Sequence, residues 1–206
     1  MSIVVDFPGG NVYHYKRLRT YEKCTGIQLY KCEYSLDISV VDETTWKQRR
    51  TKDMSIFMLG IDHNMAPVDI RALFAFTRKN TGEALLKLKK EPGICGCIIL
   101  STCNRLELWV STEEDEKPEL YQWLCRLKGI EGEEYRKYFI SRENEEAVEH
   151  LFYLTSGLKS QILGEDQILT QVKDALSMSR DEFTTDSVLE VLFRMSVTAG
   201  KKIKTL

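Results

Sequence analysis

The sequence Cys-Gly-Cys-Ile-Ile-Leu-Ser-Thr-Cys-Asn-Arg-Leu-Glu-Leu-Trp-Val at residues 95–110 contains two β-strand patterns separated by a short polar segment. Residues 95–100 form an apolar run, and residues 106–110 alternate in the way expected of a half-buried strand. Between them lies the segment Ser-Thr-Cys-Asn-Arg at 101–105. The stretch therefore predicts two short strands joined by a polar turn.

Helical and strand patterns continue on both sides of this pair. Residues 56–61 form another compact apolar strand, and Pro67 suits the first turn of a helix that carries Ile70, Leu73 and Phe74 on one face. We predict a further strand at 138–140 and helices at 83–90, 120–127, from 141 onward, 165–180 and 187–204. Alternating strands and helices without long apolar strands predict an α+β sandwich with a mostly antiparallel sheet, followed by C-terminal helices.

The first 53 residues differ from the rest. They contain short β-favouring stretches at 3–7, 27–30 and 36–41, separated by turn formers, and end in a polar run. We interpret residues 1–53 as a small β-rich N-terminal extension of unknown role and residues 54–206 as the main domain.

Composition narrows the function classes. A formal charge of −2 argues against a protein that binds nucleic acid over its whole surface, because phosphate binding depends on clustered Lys and Arg. No apolar run is long enough to span a membrane and the N-terminus has no signal-peptide pattern, so we expect a cytoplasmic protein. Six cysteines in 206 residues are too few to be the main source of stability, so we expect reduced thiols.

Cys103 is the strongest candidate for a reactive side chain. It lies in the polar segment between two predicted strands, where its thiol is expected to be exposed at the edge of the sheet. The thiolate is the nucleophile, and a nearby cation such as Arg105 favours it. The alternative is a small buried core residue, which is what most cysteines are.

His150 lies at the edge of an apolar helical stripe that includes Ala147 and Leu154. An imidazole there can act as a general acid or base, or it can be a hydrogen-bonded structural residue. The two readings remain open on the residues alone.

Metal and nucleotide motifs are weak in this sequence. Cys95-Gly96-Cys97 is C-x-C rather than C-x2-C, and no second pair follows it, so we predict no metal site. Alternation should place Cys95 and Cys97 on the same face of one strand, which suits core packing. The sequence contains neither G-x-G-x-x-G nor G-x-x-x-x-G-K-[ST].

Three segments resemble glutamyl-tRNA reductase, the enzyme that makes glutamate-1-semialdehyde for tetrapyrrole biosynthesis. Residues 59–68 are similar to the family pattern G-[LI]-x-H-x-x-A-P-[VL], and residues 101–107 to S-T-C-N-R-x-E. Residues 156–173 are similar to S-G-L-x-S-M-[VL]-x-G-E-x-Q-I-L-x-Q-V-K, with Gln161 at the usual methionine. The resemblance covers about residues 56–204 and implies a ferredoxin-like sandwich.

The resemblance implies a mechanism. Cys103 would attack the ester of glutamyl-tRNA(Glu) and form a thioester, which NADPH would reduce to the aldehyde. His150 falls where the family keeps its active-site histidine, and Arg105 would hold the substrate's side-chain carboxylate. The other substrate-binding residues implied are Thr102, Asn104, Ser160, Glu165, Gln167 and Gln171.

The family also differs from this chain in extent. Its members continue into a connecting helix, an NADPH-binding Rossmann domain and a dimerisation domain, whereas this chain stops at Leu206, at the start of the connecting helix. We therefore expect Cys103 to be acylated but the reduction not to be completed by this chain alone. In the family, partners are a second copy and glutamate-1-semialdehyde aminomutase. The alternatives are a tRNA- or partner-binding regulatory module without turnover and a cysteine-based metal or redox module.

Overall fold

The computed structural model describes residues 3–6, 12–15, 19–24, 27–31, 54–113, 117–157 and 167–204. The chain divides into two compact units, residues 1–51 and 52–206. In the first unit β1 (Ile3–Asp6) pairs with β2 (Val12–Tyr15), and β3 (Arg19–Cys24) with β4 (Ile27–Lys31), both antiparallel. The strands predicted near 3–7 and 27–30 are thus confirmed, and the one predicted at 36–41 lies outside the described residues.

The second unit is built around a four-stranded sheet. Its elements are β5 (Ser55–Asp62), α1 (Val68–Phe74), α2 (Arg78–Leu88), β6 (Ile94–Ser101), β7 (Arg105–Thr112), α3 (Leu120–Lys128), a 3-10 turn (Arg136–Tyr138), β8 (Ile140–Glu143), α4 (Asn144–Thr155), α5 (Gln167–Asp181) and α6 (Ser187–Lys204). The strands lie in the order β6-β7-β5-β8, and every neighbouring pair is antiparallel. The β-α-β-β-α-β order with this arrangement is ferredoxin-like, which confirms the predicted fold.

Helices cover both faces of this sheet. Successive strand side chains point to opposite faces, so Leu59 and Leu108 pack against α1, α2 and α3 in one apolar cluster. Met58 and Trp109 pack against α4, α5 and α6 in a second cluster. Residues 106–110 are consequently buried on both faces, and the expectation of a half-buried strand is wrong.

The prediction for residues 138–143 is also corrected. Tyr138 ends the 3-10 turn, and the strand is Ile140–Glu143 rather than 138–140. Residues 141–143 pair with β5 instead of starting a helix, and α4 begins at Asn144, whose side chain accepts a hydrogen bond from the Ile56 backbone N–H at 2.9 Å. The strand was predicted too early because Tyr138 and Phe139 are aromatic, as strand residues often are, but they pack on the first apolar cluster from outside the strand.

A bulge in β6 corrects the prediction for its two cysteines. The register of β6 against β7 shifts between Ile94 and Gly96. Cys97 therefore lies in the first apolar cluster together with Ile94, while Cys95 is outside that cluster and partly exposed. An extra residue in one strand breaks simple alternation, which the sequence pattern did not reveal.

The predicted helices are largely confirmed, with two changes. In α1 only Phe74 is buried, and Leu73 is 45% exposed, so the predicted apolar face is narrower than expected. Helix α2 starts at Arg78 rather than 83, because the Thr77 side chain accepts the Asn80 backbone N–H and caps the helix. None of the described helices is both long and apolar enough to cross a membrane.

Candidate active site

Cys103 lies in the tight turn between β6 and β7. The Thr102 hydroxyl accepts hydrogen bonds from the backbone N–H groups of Asn104 (3.2 Å) and Arg105 (3.1 Å), and the Thr102 N–H donates to the Arg105 carbonyl at 2.8 Å. The turn is also anchored at Ser101, whose hydroxyl accepts a hydrogen bond from the Phe76 N–H and donates one to the Phe76 carbonyl. These bonds fix the backbone on both sides of the cysteine.

Cys103 is the exposed thiol among the cysteines in residues 54–113 and 117–157. Cys97 and Cys125 are buried, and Cys95 is intermediate. Burial raises the pKa of Cys97 to about 12, so that thiol stays protonated at neutral pH. The predicted exposure of the Cys103 thiol is thus observed, and its role as a nucleophile stays a prediction.

A second turn reaches the same end of the sheet. Asp62 closes β5 opposite Arg105, the first residue of β7. The Asp62 carboxylate accepts the Asn64 N–H at 2.9 Å, and its other oxygen lies 4.0 Å from Arg105 Nη1. The turns after β5 and β6 are therefore adjacent. The Arg105 guanidinium lies between the Asp62 carboxylate of one turn and the buried Glu107 carboxylate of the sheet.

Glu107 is the centre of a buried polar cluster. Its Oε1 lies 2.9 Å from Arg105 Nη1 and 2.9 Å from His150 Nε2, and its Oε2 accepts from Trp109 Nε1 at 3.1 Å. All four residues are buried, and at most 5% of the surface of each is exposed. The Trp109 ring also stacks on the imidazole, with centroids 6.1 Å apart.

The negative charge of Glu107 is stabilised by its direct contacts with Arg105 and His150. Burial alone would raise the pKa of Glu107, but the hydrogen bonds and charges of His150 and Arg105 outweigh it and lower the pKa to about 2. Glu107 is therefore ionised at neutral pH, and Arg105 forms a buried ion pair with it. The expectation that Arg105 binds a substrate carboxylate stays a prediction, because one of its terminal nitrogens already bonds Glu107.

The other predicted site residues lie in the Cys103 turn, in α5 or outside the described residues. Asn104 is partly exposed in the turn, Gln167 is exposed at the start of α5, and Gln171 is partly exposed one turn later. Ser160 and Glu165 lie outside the described residues. The binding roles of these residues stay predictions.

Glu107 and Trp109 were missed as site residues at the level of sequence. A signal was present: Arg105, Glu107 and Trp109 are two residues apart and thus share one strand face. A carboxylate within an apolar strand is almost never buried without a partner. Its partner, His150, is 43 residues away, and strand periodicity does not identify it.

Comparison with known proteins identifies the family. The family model described as "Glutamyl-tRNAGlu reductase, N-terminal domain" matches residues 59–206. The chain belongs to this family. The glutamyl-tRNA reductases are oxidoreductases, and the match covers the three motif segments, the Cys103 turn and His150.

Individual relatives agree with this assignment. Glutamyl-tRNA reductases of Alkaliphilus oremlandii and Acetivibrio thermocellus are each 43% identical over 152 residues, covering 74% of this chain and 46% of theirs. The solved structure of glutamyl-tRNA reductase from Methanopyrus kandleri is 29% identical, with a TM-score of 0.62, and the match covers 73% of this chain and 34% of that one. The chain spans less than half the length of these glutamyl-tRNA reductases.

The described residues do not fit a nicotinamide dinucleotide. Such a cofactor is bound where a parallel strand passes through a glycine-rich turn into a helix. The sheet of the second unit is antiparallel throughout, and β8, the strand that leads directly into a helix, does so through Glu143 and Asn144. No three His, Cys, Asp or Glu side chains in the described part of the chain are grouped to hold a metal ion.

Proposed function

We propose that this chain carries the acyl-transfer half of the glutamyl-tRNA reductase reaction. The Cys103 thiolate attacks the ester carbonyl of glutamyl-tRNA(Glu) and takes the glutamyl group from it. The observation that carries the proposal is the exposed Cys103 on a braced turn, adjoining a buried cluster of guanidinium, carboxylate and imidazole, in a member of the reductase family.

The proposed step needs no cofactor. A bond forms between Cys103 Sγ and the glutamyl carbonyl carbon, and the ester bond to the tRNA ribose breaks. The ribose oxygen leaves with a proton, which His150 supplies in its role as general acid. The product is a thioester, which is more readily reduced than the parent ester.

Substrate selection is assigned to Arg105 and its neighbours. A guanidinium has five N–H donors and can pair with a carboxylate while another donor is engaged, as it is here with Glu107. Thr102, Asn104, Ser160, Glu165, Gln167 and Gln171 complete the proposed pocket. We derive no hydride step, because the described residues do not fit NADPH. A homodimer and contact with glutamate-1-semialdehyde aminomutase belong to this proposal on family resemblance.

Intact-protein mass spectrometry tests the proposal. The reduced chain is incubated with glutamyl-tRNA(Glu), and we expect one glutamyl group per chain, removable by hydroxylamine as thioesters are. Cys103→Ser should abolish the thioester adduct. Cys95→Ser is the matched control, since Cys95 is the next most accessible thiol among the cysteines of residues 54–113 and 117–157. No adduct on the wild-type chain, or an adduct that survives in Cys103→Ser, would refute acyl transfer by Cys103.

A second candidate is a tRNA-binding module without turnover. This candidate predicts a gel-mobility shift of glutamyl-tRNA(Glu) by both wild type and Cys103→Ser, with no covalent adduct on either. The two candidates therefore differ in the mass measurement.

A further inference from the structure

We propose that Glu107 is a positioning residue that fixes the tautomer and orientation of His150. The assignment deepens the proposed function, because its catalytic consequence rests on acyl transfer at Cys103. It starts from a geometric fact: one buried carboxylate lies within hydrogen-bonding distance of three buried side chains.

The direction of the bond between Glu107 and His150 follows from the chemistry of the two groups. An ionised carboxylate only accepts hydrogen bonds, and Glu107 is held ionised by the Arg105 guanidinium at 2.9 Å. The imidazole nitrogen at 2.9 Å from Glu107 Oε1 must therefore carry a proton. His150 is consequently in the Nε2–H form whenever the ring is neutral.

Glu107 is itself held in place. Arg105 precedes Glu107 by two residues and Trp109 follows it by two, so all three side chains share one face of β7. Arg105 donates to Oε1 of the carboxylate, and Trp109 donates to Oε2. A carboxylate bonded at both oxygens cannot rotate without breaking a buried hydrogen bond and leaving a buried polar group unsatisfied. The strand thus presents a fixed acceptor to the helix that carries His150.

This arrangement follows a general pattern in enzymes. An imidazole that moves protons works only if a second group sets which nitrogen holds the proton, and replacing that group by its amide lowers turnover about 10⁴-fold in a serine protease. In this chain Glu107 is the group that sets which nitrogen of His150 holds the proton. Arg105 balances the carboxylate charge, so that the buried pair is neutral and the ring can cycle between its two states.

Nitrogen NMR of the wild-type chain tests the tautomer directly. Long-range proton–nitrogen correlation spectra distinguish Nε2–H from Nδ1–H rings, and the sequence has only three histidines. Comparison with His150→Asn assigns the signal, and the spectrum is recorded at a pH where the ring is neutral. We expect the Nε2–H pattern for His150. The Nδ1–H pattern would overturn the assignment, and this result needs no substitution at Glu107.

A double-mutant cycle tests whether Glu107 acts through His150. We expect Glu107→Gln to slow acylation of Cys103 at least about tenfold, and His150→Asn to slow it similarly. The double variant should be no slower than His150→Asn alone. Ser111→Ala is the matched control: it removes a buried hydrogen bond of the same strand, the one to Asp186, but leaves the Glu107 cluster intact, so we expect a rate within about threefold of wild type after correction for stability.

The outcomes separate the two proposals. Multiplying rate losses in the double variant, or equal losses in Glu107→Gln and Ser111→Ala, would mean that the cluster only stabilises the fold. A wild-type chain that forms no glutamyl adduct would refute the proposed function, and the nitrogen spectrum would still decide the role of Glu107. If Glu107→Gln does not fold, the same wild-type spectrum decides it.

Discussion

Thr102 shows how one hydroxyl shapes the turn that presents Cys103. Its oxygen accepts two backbone N–H groups, those of Asn104 and Arg105, and its own N–H bonds the Arg105 carbonyl. Side-chain oxygens of Ser and Thr commonly replace backbone acceptors in such turns. The family resemblance assigns Thr102 to substrate binding, but these contacts give it a local structural task as well.

Substitution of Thr102 should separate these tasks. Thr102→Val keeps the shape but removes the acceptor, so we expect a loss of roughly 1 kcal/mol in the free energy of unfolding by urea. Acylation of Cys103 should fall about tenfold, since a displaced nucleophile loses its attack geometry. Thr102→Ser retains the oxygen and should stay near wild type in both measurements. A Thr102→Val chain with wild-type acylation would show that the turn does not need this bond.

Glu107 makes stability depend on pH in a defined direction. Its pKa in the folded chain is about 2, well below its ordinary value of 4.5. A depressed carboxyl pKa stabilises the fold above the unfolded pKa, and this contribution is lost as pH falls through the folded value. From pH 4.5 down to 2 the wild-type chain should lose about 3 kcal/mol through this group.

Urea unfolding at a series of pH values measures this loss. Other carboxyl groups titrate in the same window, so the informative quantity is the difference between wild type and Glu107→Gln. We expect Glu107→Gln to be less stable at neutral pH, with the gap narrowing toward pH 2. A gap that stays constant from pH 6 to 2 would contradict the assigned pKa shift.

At the residue scale the sequence predicted the exposed thiol of Cys103 but not the buried polar cluster near it. Cys103 was identifiable because polar neighbours surround it in a short segment between apolar runs. The partnership of Glu107 with His150 depends on how α4 packs on the sheet, which no local pattern contains. Periodicity could mark a buried charge in β7, but only the fold supplies its partner.

The bulge in β6 packs against the first turn of α6, and Gly96 is the residue at the point of contact. Gly96 lies where an added Cβ would be 2.6 Å from Asp186 Oδ1 and 2.8 Å from Ser111 Oγ. Asp186 precedes α6 and accepts the Leu189 N–H at 3.0 Å, which caps that helix, while its second oxygen accepts from Ser111 at 2.7 Å. A glycine is required here because the cap occupies the space of a side chain.

Gly96→Ala should therefore weaken the attachment of α6 to the sheet. Displacing Asp186 costs the cap and crowds the bulge, and we expect a loss of roughly 2–3 kcal/mol in unfolding free energy. Ser111→Ala removes one hydrogen bond without a clash and should cost about 1 kcal/mol. Thermal and urea unfolding compare the two variants. Equal losses would show that the Asp186 carboxylate moves aside without penalty.

Element types were predictable where one apolar stripe dominates. Helices α3, α5 and α6 follow their 3.6-residue pattern closely. Strand β8 was misplaced because its residues, Ile140–Glu143, are mostly polar and half exposed at the edge of the sheet, and such strands carry little apolar signal. The order of the strands follows from the ferredoxin-like resemblance rather than from any segment alone.

At the scale of the whole molecule, the second unit forms its hydrophobic core from its own residues. One apolar cluster joins the sheet to α1, α2 and α3, and the other joins it to α4, α5 and α6. The described members of both clusters lie between residues 57 and 197. A domain of about 150 residues buries enough apolar surface to be stable by itself. Each face of the sheet is thus covered by helices of the same unit.

Deletion of residues 1–51 should consequently leave residues 52–206 folded. We expect the shortened chain to keep the helical circular dichroism of the described helices and a urea midpoint close to that of the full chain, because both apolar clusters remain intact. Glutamyl transfer to Cys103 should proceed at a similar rate, and Cys103→Ser in the shortened chain serves as its control. A non-cooperative transition, or loss of the adduct with the fold retained, would show that residues 1–51 contribute to the domain or to its site beyond what the two clusters supply.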